Sequence, residues 1–138
     1  MSNQDPKPYG LLFALDGYGA SPIACGDADL LLRALRELPL LIGMRPLGEP
    51  HVVQVDEPGS AGLSGFTFIM ESHISIHTYT ERGFVTADIY SCKEFNTLVA
   101  DRYLCSLFKI GSAERTIIPR GLHFNAKYSS QSMRSVRR

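Results

Sequence analysis

Hydroxyl, imidazole, carboxylate and thiol side chains crowd into one short stretch, Phe66 to Cys92, which reads FTFIMESHISIHTYTERGFVTADIYSC. A serine just after a strained carbonyl can attack it. An imidazole titrating near pH ~6.5 can move a proton at neutral pH, and a thiol with a pKa of roughly 8.5 still holds one to give. Ser72, His73, His77 and Cys92 are the groups in question. Three apolar runs carry them, Phe66–Met70, His73–Tyr79 and Phe84–Ile89, each too short for a helix and rich in Ile, Val, Thr, Phe and Tyr, so they read as adjacent strands. A period of two puts Ile74, Ile76 and Thr78 on one face of the second run and His73, Ser75, His77 and Tyr79 on the other. By the same period Thr86, Asp88, Tyr90 and Cys92 share a face opposite Val85, Ala87 and Ile89. A strand pair therefore brings an imidazole and a thiol to one surface. A metal site is not expected, because strand geometry holds His73 and His77 too far apart for the chelation a helix gives, and no third ligand stands nearby.

Taken singly, Ser72 reads as a turn hydroxyl, His77 as a satisfied strand histidine and Cys92 as a small buried hydrophobe. Taken together they resemble something specific. Glu71-Ser72-His73-Ile74-Ser75-Ile76-His77-Thr78, followed by Asp88-Ile89-Tyr90-Ser91-Cys92, resembles the signature of the prokaryotic S-adenosylmethionine decarboxylase proenzymes. Gly62-Leu63-Ser64-Gly65 resembles that family's Gly-Val-Ser/Thr-Gly element, and Tyr9–Pro22 its opening strand and turn. The resemblance implies a pyruvoyl enzyme that makes its own cofactor. Ser72 would convert the Glu71–Ser72 amide to an ester, a base would remove the Ser72 α-proton, and the chain would part into a β chain ending at Glu71 and an α chain headed by a pyruvoyl group. His77 is the base so implied, Ser64 the hydroxyl assisting self-processing, and Cys92 the proton donor in decarboxylation. The pyruvoyl ketone would form a Schiff base with the substrate amine, the task done elsewhere by pyridoxal phosphate, and the product would be an aminopropyl donor for spermidine.

The substrate end departs from the family pattern. The usual Thr-Trp-Pro-Glu is here Thr78-Tyr79-Thr80-Glu81, and Cys-Gly is Cys92-Lys93. Glu81 matches the family's ribose-binding carboxylate, with Tyr79 as a further substrate contact. The family aromatic that stacks on adenine falls near Asp56–Gly59, where this chain has no ring. Arginine or ornithine decarboxylation on the same scaffold is the second reading, and a non-processed regulatory paralogue the third. The resemblance also implies a homodimer of cleaved units packed sheet to sheet.

The remaining elements must position these groups. A chain of 138 residues fits one domain, 1–138, and 14 Lys plus Arg balance 14 Asp plus Glu, so charge points to neither a nucleic-acid nor a membrane partner. Three cysteines with no Cys-x-x-Cys pair, and no signal-like start, place the protein in the cytoplasm. Met1–Pro8 reads as a loose lead-in and 125–138 as a disordered tail. Leu11–Leu15 reads as a first strand, buried on both faces, before the Asp16-Gly17-Tyr18-Gly19 turn. Asp27 or Asp29 caps a helix over Ala28–Leu38, stopped by Pro39. Met44–Val55 reads as one interrupted strand or two, and Pro58–Gly62 as a loop. Asn96 caps a second helix to about Lys109, with Leu98, Tyr103, Leu107 and Cys105 toward the sheet and Gly111 as its stop. Thr116–Ile118 is a last strand broken by Pro119, with Arg120–Phe124 as a further edge. Cys25, His51 and His123 read as surface or loop. The order gives an α+β two-layer sandwich, an antiparallel sheet with two helices on one face.

Overall fold

Strand alternation and helical periodicity meet in one buried layer. The computed structural model describes residues 7–125, so the expected tail lies outside the described residues except for Asn125, whose side-chain amide donates to the Lys7 carbonyl at 3.2 Å. The elements are β1 (Gly10–Tyr18), α1 (Pro22–Cys25), α2 (Ala28–Leu41), β2 (Arg45–Val55), β3 (Gly62–Met70), β4 (Ser72–Tyr79), β5 (Phe84–Ser91), α3 (Thr97–Phe108) and β6 (Ser112–Arg120). The six strands form one sheet in the order β2-β3-β4-β5-β1-β6, with every neighbouring pair antiparallel. Phe13, Leu15, Leu63, Ile69, Ile74, Ile76, Val85, Ala87 and Ile89 bury the inner face against Leu31, Ala34, Leu35 and Leu38 of α2 and Ala100, Leu104 and Phe108 of α3. The oily and functional faces of β4 and β5 fall as the period of two predicts.

Several boundaries differ from the sequence reading for local reasons. β1 is buried on one face only, because helices cover the inner side while Leu12, Ala14 and Asp16 on the other stay half-buried. β3 starts at Gly62, four residues earlier than expected, since Leu63 is fully covered and Gly62–Gly65 pairs with β4. β2 is one strand whose register shifts between Leu47 and His51, around a positive-φ Gly48. Asp27 caps α2 through Leu30 N–H, and the helix runs past Pro39 to Leu41. Pro39 forfeits one intrahelical donor in the last turn, while its carbonyl accepts from Met44 N–H at 2.8 Å and ties the following chain to the helix. α3 is stopped by Lys109 in the left-handed region (φ 56°) rather than by Gly111. Its buried stripe is Ala100, Asp101, Leu104 and Phe108, while Leu98 is 53% exposed and Tyr103, Cys105 and Leu107 only flank the core. β6 keeps Pro119 because an edge strand needs no second ladder, and 121–125 form a turn instead of an added strand. Cys25 is fully buried in α1, and His51 lies in β2 stacked on Phe66 at 5.1 Å.

The edge strand is tied back by charge. Arg115 Nε and Nη2 donate to the two carboxylate oxygens of Asp101 on α3, and Cys105 Sγ donates to Asp101 Oδ1 at 3.3 Å. The Arg115 hydrogen bonds hold the Asp101 carboxyl below the usual carboxylate range against the opposing effect of burial. A depressed folded pKa means that this stabilisation is present above the unfolded value and is lost as pH falls through the folded one. Asp101→Asn is therefore expected to lower unfolding stability by about 1.5–3 kcal/mol at neutral pH. Its stability in urea titrations should also fall less steeply between roughly pH 5 and pH 2 than that of the parent chain.

Candidate active site

A one-residue junction holds Ser72 in a disfavoured backbone conformation. β3 ends at Met70 and β4 begins at Ser72, with Ile69 paired to Ser72, so Glu71 stands alone at the turn. The Met70–Glu71 peptide is cis, and Ser72 has φ 135°. Side-chain-bearing residues avoid that region, at a cost of roughly 1–3 kcal/mol. The neighbouring end of β5 closes on the junction: Ser91 pairs with Ser72, the Cys92 N–H donates to the Glu71 carbonyl at 3.1 Å, and the Glu71 N–H donates to Cys92 Sγ at 3.4 Å. The carbonyl of the Glu71–Ser72 amide thus already carries a backbone donor, and the thiol lies against the same residue.

β1 makes this approach possible. A Cβ on Gly10 would sit 1.9 Å from the Ser91 carbonyl oxygen and 2.9 Å from Cys92 Cα, so the backbones meet only because there is none. Tyr9 packs on Tyr90 (6.0 Å) and Phe124 (5.0 Å), and its phenol is pushed up by desolvation, with the nearby Glu71 and Cys92 adding to the effect. Arg120 lies over the Tyr90 ring at 4.5 Å, and His73 meets the same ring edge-on at 5.7 Å. Sequence reasoning placed Tyr90 on the thiol's face but did not single out Tyr9, Gly10 or Arg120 for the site. Tyr9-Gly10 directly before an apolar run was the available signal.

Ser64 and His77 form a second cluster. Their strands pair them directly, and Ser64 Oγ lies 2.8 Å from His77 Nδ1. Thr86 is the partner of His77 on β5 and donates to Asp16 Oδ1 at 2.7 Å, extending a polar row across the outer face. His77 does not meet the thiol or the serine within one chain: it lies five residues along β4 from Ser72, roughly 16 Å at ~3.3 Å per residue. The imidazole at the thiol's end of β4 is His73, whose β5 partner is Tyr90.

Tyr79 and Glu81 form a third group at the far end. Glu81 is exposed in the turn after β4, next to a cavity of about 320 Å³ lined by Gly59, Ser60, Tyr79, Arg82 and Phe84. A second cavity, about 370 Å³, is lined by Tyr18, Arg82 and Phe84. Phe84 lies between Tyr79 (5.8 Å) and Tyr18 (5.3 Å). Rings thus gather at the end of the sheet that carries the Glu81 turn, although the 56–59 loop has none. Among the described residues, no three His, Cys, Asp or Glu side chains are grouped to hold a metal, and no helix is long and apolar enough to cross a membrane.

Comparison with known proteins gives this geometry its family. Residues 12–121 match the family described as S-adenosylmethionine decarboxylase. The chain is 32% identical over 111 residues to the S-adenosylmethionine decarboxylase proenzyme of Pyrococcus abyssi, covering 80% of this chain and 77% of that one. It is also 32% identical over 115 residues to the proenzyme of Brevibacillus brevis, covering 83% and 84%. The crystal structure of the adenosylmethionine decarboxylase from Aquifex aeolicus VF5 shares the fold, with a TM-score of 0.75 at 23% identity over 89% of this chain and 99% of that one. The chain belongs to the S-adenosylmethionine decarboxylase family.

The close approach at Gly10 is directly testable. Gly10→Ala places a methyl group against backbone that cannot swing away, so a loss of about 1–3 kcal/mol is expected. Thermal unfolding of the variant measures it, and an unchanged melting temperature would show that β1 does not clamp the Ser91–Cys92 segment.

Proposed function

We propose that this chain is a proenzyme that cleaves itself between Glu71 and Ser72 and then decarboxylates S-adenosylmethionine, yielding the aminopropyl donor for spermidine synthesis. The observation that carries the reading is the strained Ser72 beside a carbonyl already hydrogen-bonded by Cys92 N–H. Ser72 Oγ attacks the Glu71 carbonyl carbon, and the Cys92 N–H stands where negative charge then develops on oxygen. Collapse breaks the C–N bond and leaves an ester, with the Ser72 nitrogen now an amine. Removal of the Ser72 α-proton expels the Glu71 carboxylate, and hydrolysis of the resulting dehydroalanine releases ammonia and leaves the pyruvoyl group.

In this reading His77 is the base for that proton, and its distance from Ser72 along β4 supports its coming from a second copy. The outer face supports such a partner. Val53, Phe66, Phe68, Met70 and Ile118 all lie on it, with Phe68 56% and Val53 60% exposed, and the helices cover only the opposite side. Several exposed apolar side chains on one sheet face support an interface there. Two sheets packed face to face would set the Ser64–His77 pair of each copy toward the Glu71–Cys92 junction of the other, making the homodimer the catalytic unit. The 2.8 Å contact with Ser64 fixes the imidazole ring for this task.

The residues at the junction fit a pyruvoyl group: position 72 heads β4, and Cys92 stands beside it. When formed, that group draws electrons from the bond to the departing carboxylate. The Cys92 thiol supplies the proton that replaces the carboxylate on the substrate carbon. Glu81 and the Tyr79–Phe84 rings offer a carboxylate for ribose hydroxyls and an aromatic wall for a base, which favours a nucleoside substrate over arginine or ornithine. Three free thiols suit a cytoplasmic setting.

Intact mass of the purified chain is expected to show two fragments parted at Glu71–Ser72, and Ser72→Ala only one species. Cys92→Ala should cleave but lose turnover, whereas His77→Ala alone should remain whole. Co-expressed with Ser72→Ala, the His77→Ala chain should now be cleaved, because its partner supplies the imidazole. Absence of cleavage in the mixed dimer would refute the action of His77 across copies, and a persistently whole parent chain would sink the enzyme reading.

Substrate choice is tested separately. Carbon dioxide release is expected from S-adenosylmethionine and not from arginine or ornithine. A charge-assisted bond of roughly 1.5–3 kcal/mol implies that Glu81→Gln raises KM about tenfold or more. Release from arginine or ornithine alone would replace the substrate while leaving self-cleavage standing.

A further inference from the structure

Cleavage changes what holds Cys92. In the whole chain the segment is anchored twice to Glu71, through Cys92 N–H to the Glu71 carbonyl and Glu71 N–H to Cys92 Sγ. Once the Glu71–Ser72 bond is cut, Glu71 becomes a free chain end, and both anchors lead to a residue no longer tethered on its C-terminal side. A different anchor survives on the α chain itself. Ser91 is fully buried at the end of β5, and its Oγ accepts from the Lys93 N–H at 3.1 Å while donating to Met44 Sδ at 3.3 Å. Its hydroxyl therefore spans Cys92 and closes the backbone on both sides of it. The same residue pairs with Ser72 on β4 and with Leu11 on β1, so its own place is set by two ladders.

We infer that Ser91 is the positioning residue that keeps the Cys92 thiol aligned with the Ser72-derived group after self-cleavage. This rests on the reading of Cys92 as proton donor. Two features separate it from ordinary burial. The bond that matters is the one from the Lys93 backbone N–H, since a thioether is a weak acceptor and the Met44 contact does little to fix direction. The requirement also arises only after cleavage, because the Glu71 anchors serve before it. A reacting group displaced by about 1 Å can lose on the order of a hundredfold in rate.

The test uses full-length chain allowed to process itself. Ser91→Ala is expected to give both fragments at the parent's rate, then to turn over between about ten- and a hundredfold more slowly in kcat with KM within about twofold. Ser91→Thr, which keeps the hydroxyl, should recover most of that loss, and Met44→Leu should stay within about threefold of the parent. Parent-like kcat in Ser91→Ala, failure of that variant to cleave, or an equal loss in Met44→Leu would each overturn the inference, the last by assigning the effect to packing. Cys92→Ala run alongside keeps the two claims apart: if it turns over normally, the reading of Cys92 itself is wrong.

Discussion

The register between β4 and β5 is the constraint on which the rest of the structure depends. With Ser72 opposite Ser91 and His77 opposite Thr86, the strained junction meets the Cys92 backbone and the apolar residues of both strands face the helices together. A slip of one residue would turn Ile74 and Ile76 outward and carry Cys92 away from Glu71. Burial of those side chains is therefore what fixes the chemistry. The core supplies no reacting group, yet it determines which backbone atoms stand beside the Glu71 carbonyl.

The sheet divides its labour between faces and ends. Helices α2 and α3 fill the inner face, so the outer one is left with a row of polar groups, Ser64, His77, Thr86 and Asp16, set among exposed aromatic and aliphatic side chains. Such a face is poorly suited to water and well suited to a second copy of itself. The junction with Cys92 lies at one end of the strands and Glu81 with its rings at the other, too far apart along β4 for one small substrate to touch both in a single chain. The proposed dimer, by opposing the two ends, would resolve both separations, of His77 from Ser72 and of Glu81 from Cys92, by the same packing.

Strain and clamping are balanced at the junction. Ser72 is held at a φ that its side chain disfavours, and what holds it is backbone rather than side chain: the one-residue turn, the Cys92 N–H and the close approach of Gly10. These restraints do not engage the Ser72 hydroxyl, whereas the Cys92 thiol also accepts from the Glu71 N–H.

Alternation and spacing in the sequence determined the strands of the central stretch, the faces of β4 and β5 and most of the helix over 28–41, and drew attention to Ser72, His73, His77 and Cys92, because these follow from local periodicity and residue chemistry, whereas Ser64 came from the family likeness. Family likeness added their roles. Periodicity failed for α3, where a fully apolar reading of the buried stripe passed over Asp101, a carboxylate that the sheet accepts only because Arg115 arrives from β6. It failed likewise for Tyr9, Gly10 and Arg120, which join the site from both ends of the described chain through pairings of β1 that no local pattern encodes. The separation of His77 from Ser72 was present in the numbering but became decisive only once β4 proved continuous and extended, since five residues of strand hold two groups apart that a turn would have brought together.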